Sequence, residues 1–171
     1  MEKELIRVIQ KQRNIFEIES YIKGNKQALY HLGNFYYYGL DVDQNYSKAK
    51  EYFELAAKHN NSSALVNLGN MYLKGEGVDL NYSKAKEYFE LAAKQNNSYA
   101  FINLGHMYFN GYGVKQSYLK AKEYYQLSIE QGNSYAYLYL GVLYRNQKGI
   151  EQSYLKAKKC YELAAKHNIM L

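Results

Sequence analysis

The sequence has one cysteine and no apolar run of membrane-spanning length, and it opens without the long apolar stretch and small-residue cleavage site of a signal peptide. Cys160 has no partner in the chain, so an intramolecular disulfide framework is excluded and a reducing compartment is favoured. These absences predict a soluble, cytoplasmic protein with no membrane partner. Asn-x-Ser triplets such as Asn45-Tyr46-Ser47 and Asn81-Tyr82-Ser83 would be sugar acceptors only in a secretory pathway, and they read as by-products of an Asn-rich composition. A basic stripe along the whole chain is also missing. The net charge of +6 gathers at the C-terminal end, in Arg145, Lys148, Lys156, Lys158, Lys159 and Lys166, while the middle is neutral. Solvated helix lysines explain that pattern, and no nucleic-acid partner is expected.

What is there is repetition. The string Ser47-Lys-Ala-Lys-Glu-Tyr-Phe-Glu-Leu-Ala-Ala-Lys58 returns unchanged from Ser83 to Lys94. Ala28, Ala64, Ala100 and Ala136 set a period of 36 residues, giving units 28–63, 64–99, 100–135 and 136–171. Periods of this size mean stacked supersecondary units, here within 171 residues, which suffice for one domain with a sizeable core. Each unit opens with Asn-x-x-Ala at Asn25, Asn61, Asn97 and Asn133. It continues as Ala-x-x-x-Leu-Gly-x-x-Tyr, breaks at a turn such as Gly75-Glu76-Gly77-Val78, and restarts at Asn45, Asn81, Ser117 or Ser153. Asn and Ser side-chain oxygens accept the orphan N–H groups of a helix's first turn, so each unit should hold two capped helices.

The periodicity also predicts which faces pack. On the first helix Ala64, Leu65, Leu68, Met71 and Tyr72 share an apolar face, and on the second Ala49, Tyr52, Phe53, Ala56 and Ala57 do. Gly33, Gly69, Gly105 and Gly141 follow the repeated leucine. A helical glycine costs about 1 kcal/mol against alanine, which makes sense where another helix crosses with no room for a Cβ. The lysines and glutamates of the second helix fall on its outer face, where Glu54 and Lys58 can pair.

Signatures of chemistry dissolve on inspection. Ser47, Ser83, Ser117 and Ser153 each precede a lysine by three, as in the penicillin-recognising hydrolases. Ser47 and Ser83 sit two places later in the repeat than Ser117 and Ser153, however, and the partner strings Ser-Asp-Asn and Lys-Thr-Gly are missing. Asp41-Val42-Asp43-Gln44-Asn45 opens like a calcium loop but has Tyr46 where glycine is needed and Tyr52 where glutamate is needed. His31, His59, His106 and His167 never come at ligand spacing, and Cys160 replaces the tyrosine of the other units, so it reads as a packed core thiol. No catalytic residue, metal or cofactor is expected.

The pattern Ala-x-x-x-Leu-Gly-x-x-Tyr, Gly-x-Gly-Val, Lys-Ala-x-x-Tyr-x-x-x-Ala-Ala resembles the Sel-like repeat (SLR) family, a relative of tetratricopeptide repeats with a longer unit and a glycine turn between its helices. The resemblance covers residues 25–171. It implies an all-α fold: a right-handed α-superhelix, or α/α solenoid, of four helix-turn-helix repeats whose first helices line a concave groove. It also implies a non-catalytic scaffold or adaptor that binds a protein or extended peptide. Two turns depart from the pattern, Gly39-Leu40-Asp41-Val42 and Gln147-Lys148-Gly149-Ile150. Because Asp tolerates left-handed backbone, distorted turns are expected there and not lost helices. Residues 1–24 match poorly and read as an N-terminal helical cap, with helices at about 2–12 and 15–23.

If function lies where units differ, the varying face of each first helix carries it. Tyr30, His31, Asn34 and Tyr37 lie there in the first unit; Asn67, Asn70 and Lys74, beside Val66, in the second; Asn103, His106 and Asn110, beside Ile102, in the third; Tyr139 and Arg145 in the fourth. An Asn amide both donates and accepts, which suits gripping a peptide main chain, and tyrosine supplies rigid contact area. Lys74 and Arg145 could take a carboxylate. A second role, as an inhibitor or immunity-type protein blocking a toxin or effector, fits a small repeat chain equally. The helix closing with Ile169-Met170-Leu171 and no polar cap is a further contact surface through which copies could self-associate.

Overall fold

A computed structural model of the chain describes Arg13 and residues 24–146 and 153–166. Among these the fold is all-α. Eight helices follow one another: α1 (Lys26–Tyr38), α2 (Tyr46–Lys58), α3 (Ser62–Lys74), α4 (Tyr82–Ala93), α5 (Ser98–Asn110), α6 (Tyr118–Glu130), α7 (Ala136–Arg145) and α8 (Tyr154–Lys166). They form four helix-turn-helix repeats of the α-solenoid class. The expected N-terminal cap helices, the turn at 147–150 and the C-terminal Ile169-Met170-Leu171 lie outside the described residues.

Helix starts obey the capping rule. Asn25, Asn61 and Asn97 begin α1, α3 and α5, each Oδ1 accepting the backbone N–H two or three residues on. Asn45 and Asn81 receive the N–H of Lys48 and Lys84, and the Ser117 and Ser153 hydroxyls receive those of Lys120 and Lys156. The Ser-x-x-Lys pattern of the later units is thus helix capping. At α7 the expectation needs correcting. Asn133 accepts the N–H of Tyr135, but the next bonds run from residue 136 to 133, 137 to 134 and 138 to 135, so the first turn is wound tighter than an α-helix and α7 begins only at Ala136.

Helix ends are set by left-handed residues. Gly39, Gly75 and Gly111 close α1, α3 and α5 with φ of 67°, 73° and 77°. Two residues later Gly77 and Gly113 are left-handed again, and Asp41 takes the same place with φ 56°. The first turn is therefore not distorted, contrary to the sequence expectation, because aspartate enters the left-handed region that glycine occupies elsewhere. Each turn then delivers the chain identically: the N–H groups of Asn45, Asn81, Ser117 and Ser153 donate to the carbonyls of Tyr36, Tyr72, Tyr108 and Tyr144.

The chain divides into two compact units, residues 1–88 and 89–171, with the boundary inside α4. In the first, Leu29, Tyr36, Tyr37, Ala49, Phe53, Ala56, Ala64, Leu68 and Met71 form one core, with Phe53 fully buried. Burying such a side chain contributes roughly 1.5–3 kcal/mol. In the second, Ile102, Ala121, Tyr125, Ala136, Leu140, Leu143 and Cys160 do the same, and burial pushes the Cys160 thiol pKa up. Three of the glycines after the repeated leucines meet an aromatic ring of the repeat's own second helix. A Cβ on Gly33 would stand 2.4 Å from Phe53, on Gly105 2.4 Å from Tyr125 and on Gly141 2.5 Å from Tyr161.

Lys48, Lys84 and Lys120 do not merely solvate an outer face: their ammonium groups lie 4.9, 5.1 and 5.0 Å from the ring centres of Tyr36, Tyr72 and Tyr108. Those rings in turn stack on Tyr52, Tyr88 and Tyr124 at 5.6, 5.7 and 5.5 Å. Glu54 pairs with Lys50, one turn before it, at 2.8 Å, and not with Lys58 as its spacing suggested.

Candidate functional site

The first helices carry the candidate residues, and each unit is described by itself. In the first unit α1 and α3 meet along the varying face: Asn67 Nδ2 donates to Asn34 Oδ1 at 3.0 Å. Tyr37 is buried, its ring packed edge-on to Tyr38 and Tyr46 at 4.8 and 5.4 Å. Its hydroxyl donates to Glu76, the acid between the two turn glycines, and Lys74 Nζ stands 3.7 Å from the same carboxylate. Burial, then the Glu76 hydrogen bond, hold the Tyr37 hydroxyl pKa well above the usual tyrosine range. Tyr30 sits edge-on to the exposed His31 at 5.5 Å. Asn70 is half-buried, and its amide hydrogen-bonds to none of the described residues.

In the second unit α5 and α7 meet through rings at the equivalent junction. His106 Nδ1 lies 3.1 Å from the Tyr125 hydroxyl, and the imidazole stands edge-on to Tyr139 with centroids 4.4 Å apart. Tyr125 and Tyr139 are themselves stacked at 5.4 Å. Burial lowers the His106 pKa and raises that of Tyr125, so both groups are held neutral. Asn110 is exposed and donates to the His106 carbonyl at 3.0 Å, and Arg145 Nε donates to Asn146 Oδ1 at 3.2 Å. Asn103 is half-buried, like Asn70, and its amide too hydrogen-bonds to none of the described residues.

The candidate set therefore splits. Asn34 with Asn67, and His106 with Tyr139, join consecutive first helices; Asn70, Asn103, His31 and Asn110 face outward to varying degree. Val66 and Ile102, placed by sequence on the varying face, are buried at 7% and 6% exposure, because a first helix is packed over more of its circumference than one stripe. Sequence reasoning missed Glu76 and Tyr125 as partners of this face. The only signal for Glu76 was an acid held between two glycines. Among the described residues no group of three or more His, Cys, Asp or Glu could hold a metal ion, and no helix is long and apolar enough to cross a membrane.

Residues 26–61, 62–97, 98–133 and 134–169 each match the family model for the Sel1 repeat. The chain belongs to the Sel1-repeat family. These segments keep the 36-residue period and begin two residues before the alanines used to count it. Sel1-repeat proteins are protein-interaction scaffolds, generally without catalysis. The chain is similar to c5321, a protective antigen of uropathogenic Escherichia coli with an SLR fold, at 32% identity and a TM-score of 0.78, covering 88% of this chain. It spans about a third of that structure's length, 32%. A Sel1 repeat protein from Oxalobacter formigenes is 27% identical with a TM-score of 0.81, the match covering 96% of this chain and 69% of that one. The immunity protein Pa5087 from Pseudomonas aeruginosa shares the fold at 20% identity and a TM-score of 0.55, over 91% of this chain and 73% of that one. No curated protein matches the chain.

Proposed function

We propose that this Sel1-repeat chain is an adaptor that holds the main chain of an extended peptide or protein segment against the varying faces of its first helices. The observation that carries the reading is the pair of half-buried amides on Asn70 and Asn103, each able to donate and accept yet engaged with no described residue. In the first unit Asn34 and Asn67 hold each other, and in the second His106 and Tyr139 do, so each face is preorganised, which lowers the ordering cost of binding. Cytoplasmic placement belongs to the same proposal, with the buried thiol of Cys160 suited to a reducing compartment.

Replacing Asn70 and Asn103 together with alanine tests it. Each hydrogen bond lost to a buried partner group costs ~1–3 kcal/mol, so a partner captured from the native host should dissociate while helicity and melting persist. The outer-face pair Lys50→Ala with Lys86→Ala should leave capture intact. The reverse outcome would reject the first-helix face. The second reading, blocking of a toxin or effector, is suggested by the name of the Pseudomonas immunity protein Pa5087. It gains support if the captured partner is one toxin, and loses it if a peptide array is bound broadly.

A further inference from the structure

The third repeat differs from the first two at two positions that touch. At whole multiples of the 36-residue period, His106 stands where Asn34 and Asn70 do, and Tyr125 where Phe53 and Phe89 do. The two changes meet, with His106 Nδ1 3.1 Å from the Tyr125 hydroxyl. The fourth repeat keeps a tyrosine, Tyr161, but has Val142 in the histidine's place and so no imidazole to match it. Tyr125 is only 1% exposed, and its hydroxyl makes this one hydrogen bond among the described residues.

A buried phenol that only accepted would leave its own proton without a partner, at the cost of a lost hydrogen bond. Tyr125 therefore donates, Nδ1 accepts, and the proton of the neutral imidazole sits on Nε2. Nε2 hydrogen-bonds to none of the described residues. The ring is restrained from turning, because Tyr125 and Tyr139 stand edge-on to it with centroids 5.6 and 4.4 Å away. These two phenols, from α6 and α7, are the titratable groups packed against it, and no carboxylate or cation among the described residues pairs with it. Burial alone lowers its pKa and keeps it uncharged. On α5 it belongs to a stripe of Tyr99, Asn103, His106 and Asn110 that bears no charge, with Tyr99 56% exposed.

We propose that His106 is a fixed hydrogen-bond donor of the second unit's first-helix face, its Nε2–H taking a main-chain carbonyl from an uncharged segment of the partner while the Asn103 amide, one turn earlier, grips the same main chain. The inference rests on the adaptor reading above and adds to it the chemistry of one subsite. A carboxylate is the wrong ligand there. It calls for the charged ring, which burial disfavours, and it finds no lysine or arginine on the stripe. Tyr125 is a positioning residue: it fixes which nitrogen carries the proton and, being buried, touches no ligand itself.

Imidazole nitrogen shifts of the full chain, isotope-labelled at histidine and read at neutral pH, test it with N-acetyl-tetra-alanine amide as probe and acetate as control. In the free chain Nδ1 of His106 should resonate as an unprotonated nitrogen and Nε2 as a protonated one. The peptide should move Nε2 saturably, and acetate should not. His106→Phe, which keeps a ring against Tyr139, should weaken the peptide about tenfold, the loss of one hydrogen bond. His106→Asn, which restores the donor that Asn34 and Asn70 supply elsewhere, should recover part of that affinity. Tyr125→Phe has the fully buried Phe53 and Phe89 as precedents, so helicity should persist while the two nitrogen shifts draw together and the peptide weakens. A protonated Nδ1 in the native chain, or an equal response to acetate, overturns the proposal. Peptide binding that shifts the α5 amides but not Nε2 overturns it too and leaves the adaptor reading standing. A peptide that shifts no amide of α5 or α7 removes both for this unit.

Discussion

At the scale of single residues, one missing side-chain carbon decides how closely a repeat's two helices approach. Gly105→Leu drives a side chain into the ring of Tyr125, and overpacking of this kind costs ~1–3 kcal/mol. Lys84→Ala loses a cation held over the Tyr72 ring, worth about 0.5–1 kcal/mol at an exposed site. Urea midpoints should therefore fall clearly for the first variant and slightly for the second; equal shifts would contradict the packing account. His106 adds a pH dependence. Its folded pKa is below the ordinary 6.5 because burial disfavours the charged ring, so the unfolded chain binds the proton more readily. Its contribution is fully present above pH 6.5 and is lost as pH falls through that value toward the lower folded pKa. His106→Phe keeps an edge for Tyr139 and should flatten the acid-side decline in urea midpoint; an unchanged slope would exonerate the histidine.

At the scale of elements, the caps do unequal work. Asn45 is exposed and receives one N–H, whereas Asn61 is 4% exposed, caps α3, and sends its amide to the Lys26 carbonyl at 3.0 Å and to Gln27 at 3.3 Å. Asn45→Ala should cost ~1 kcal/mol, the usual value of a cap. Asn61→Ala should cost more, on the order of 2–3 kcal/mol, because buried groups lose their partners as well. Asn61→Asp, which keeps the accepting oxygen and drops the donors, should fall between them in equilibrium unfolding. Helix limits and the alanine and leucine cores were legible in the sequence because capping and periodicity are local. The joints between repeats were not. Asn34 and Asn67, or Tyr37 and Glu76, are brought together only by packing, and an asparagine letter does not say whether its amide turns to a neighbour or away from it. The same holds for Val66 and Ile102, whose burial depends on how much of a first helix its neighbours cover.

At the scale of the whole molecule, stability is a sum over repeats and their joints. Ending the chain after residue 133 should leave a shorter helical protein that melts lower and less sharply, and a collapse of all helical signal would show that the repeats are not independent. Sel1 membership, read from the sequence and matched over 26–169, accounts for this modularity.

The tyrosine pairs have an optical consequence. The chain contains no tryptophan, and its stacked phenols, Tyr36 on Tyr52, Tyr72 on Tyr88 and Tyr108 on Tyr124, have interplanar angles of 4°, 13° and 14°. Chromophores fixed in that register couple their transitions and give near-ultraviolet circular dichroism that survives only while side-chain packing does. In the fourth repeat Cys160 stands where a second phenol would be, leaving that repeat without its pair. The protein is thus self-reporting: the three coupled pairs track the first three repeats, while the fourth takes part through Tyr139 stacked on Tyr125, so unravelling confined to α8 would leave these pairs in place and show in the amide signal before it shows in theirs.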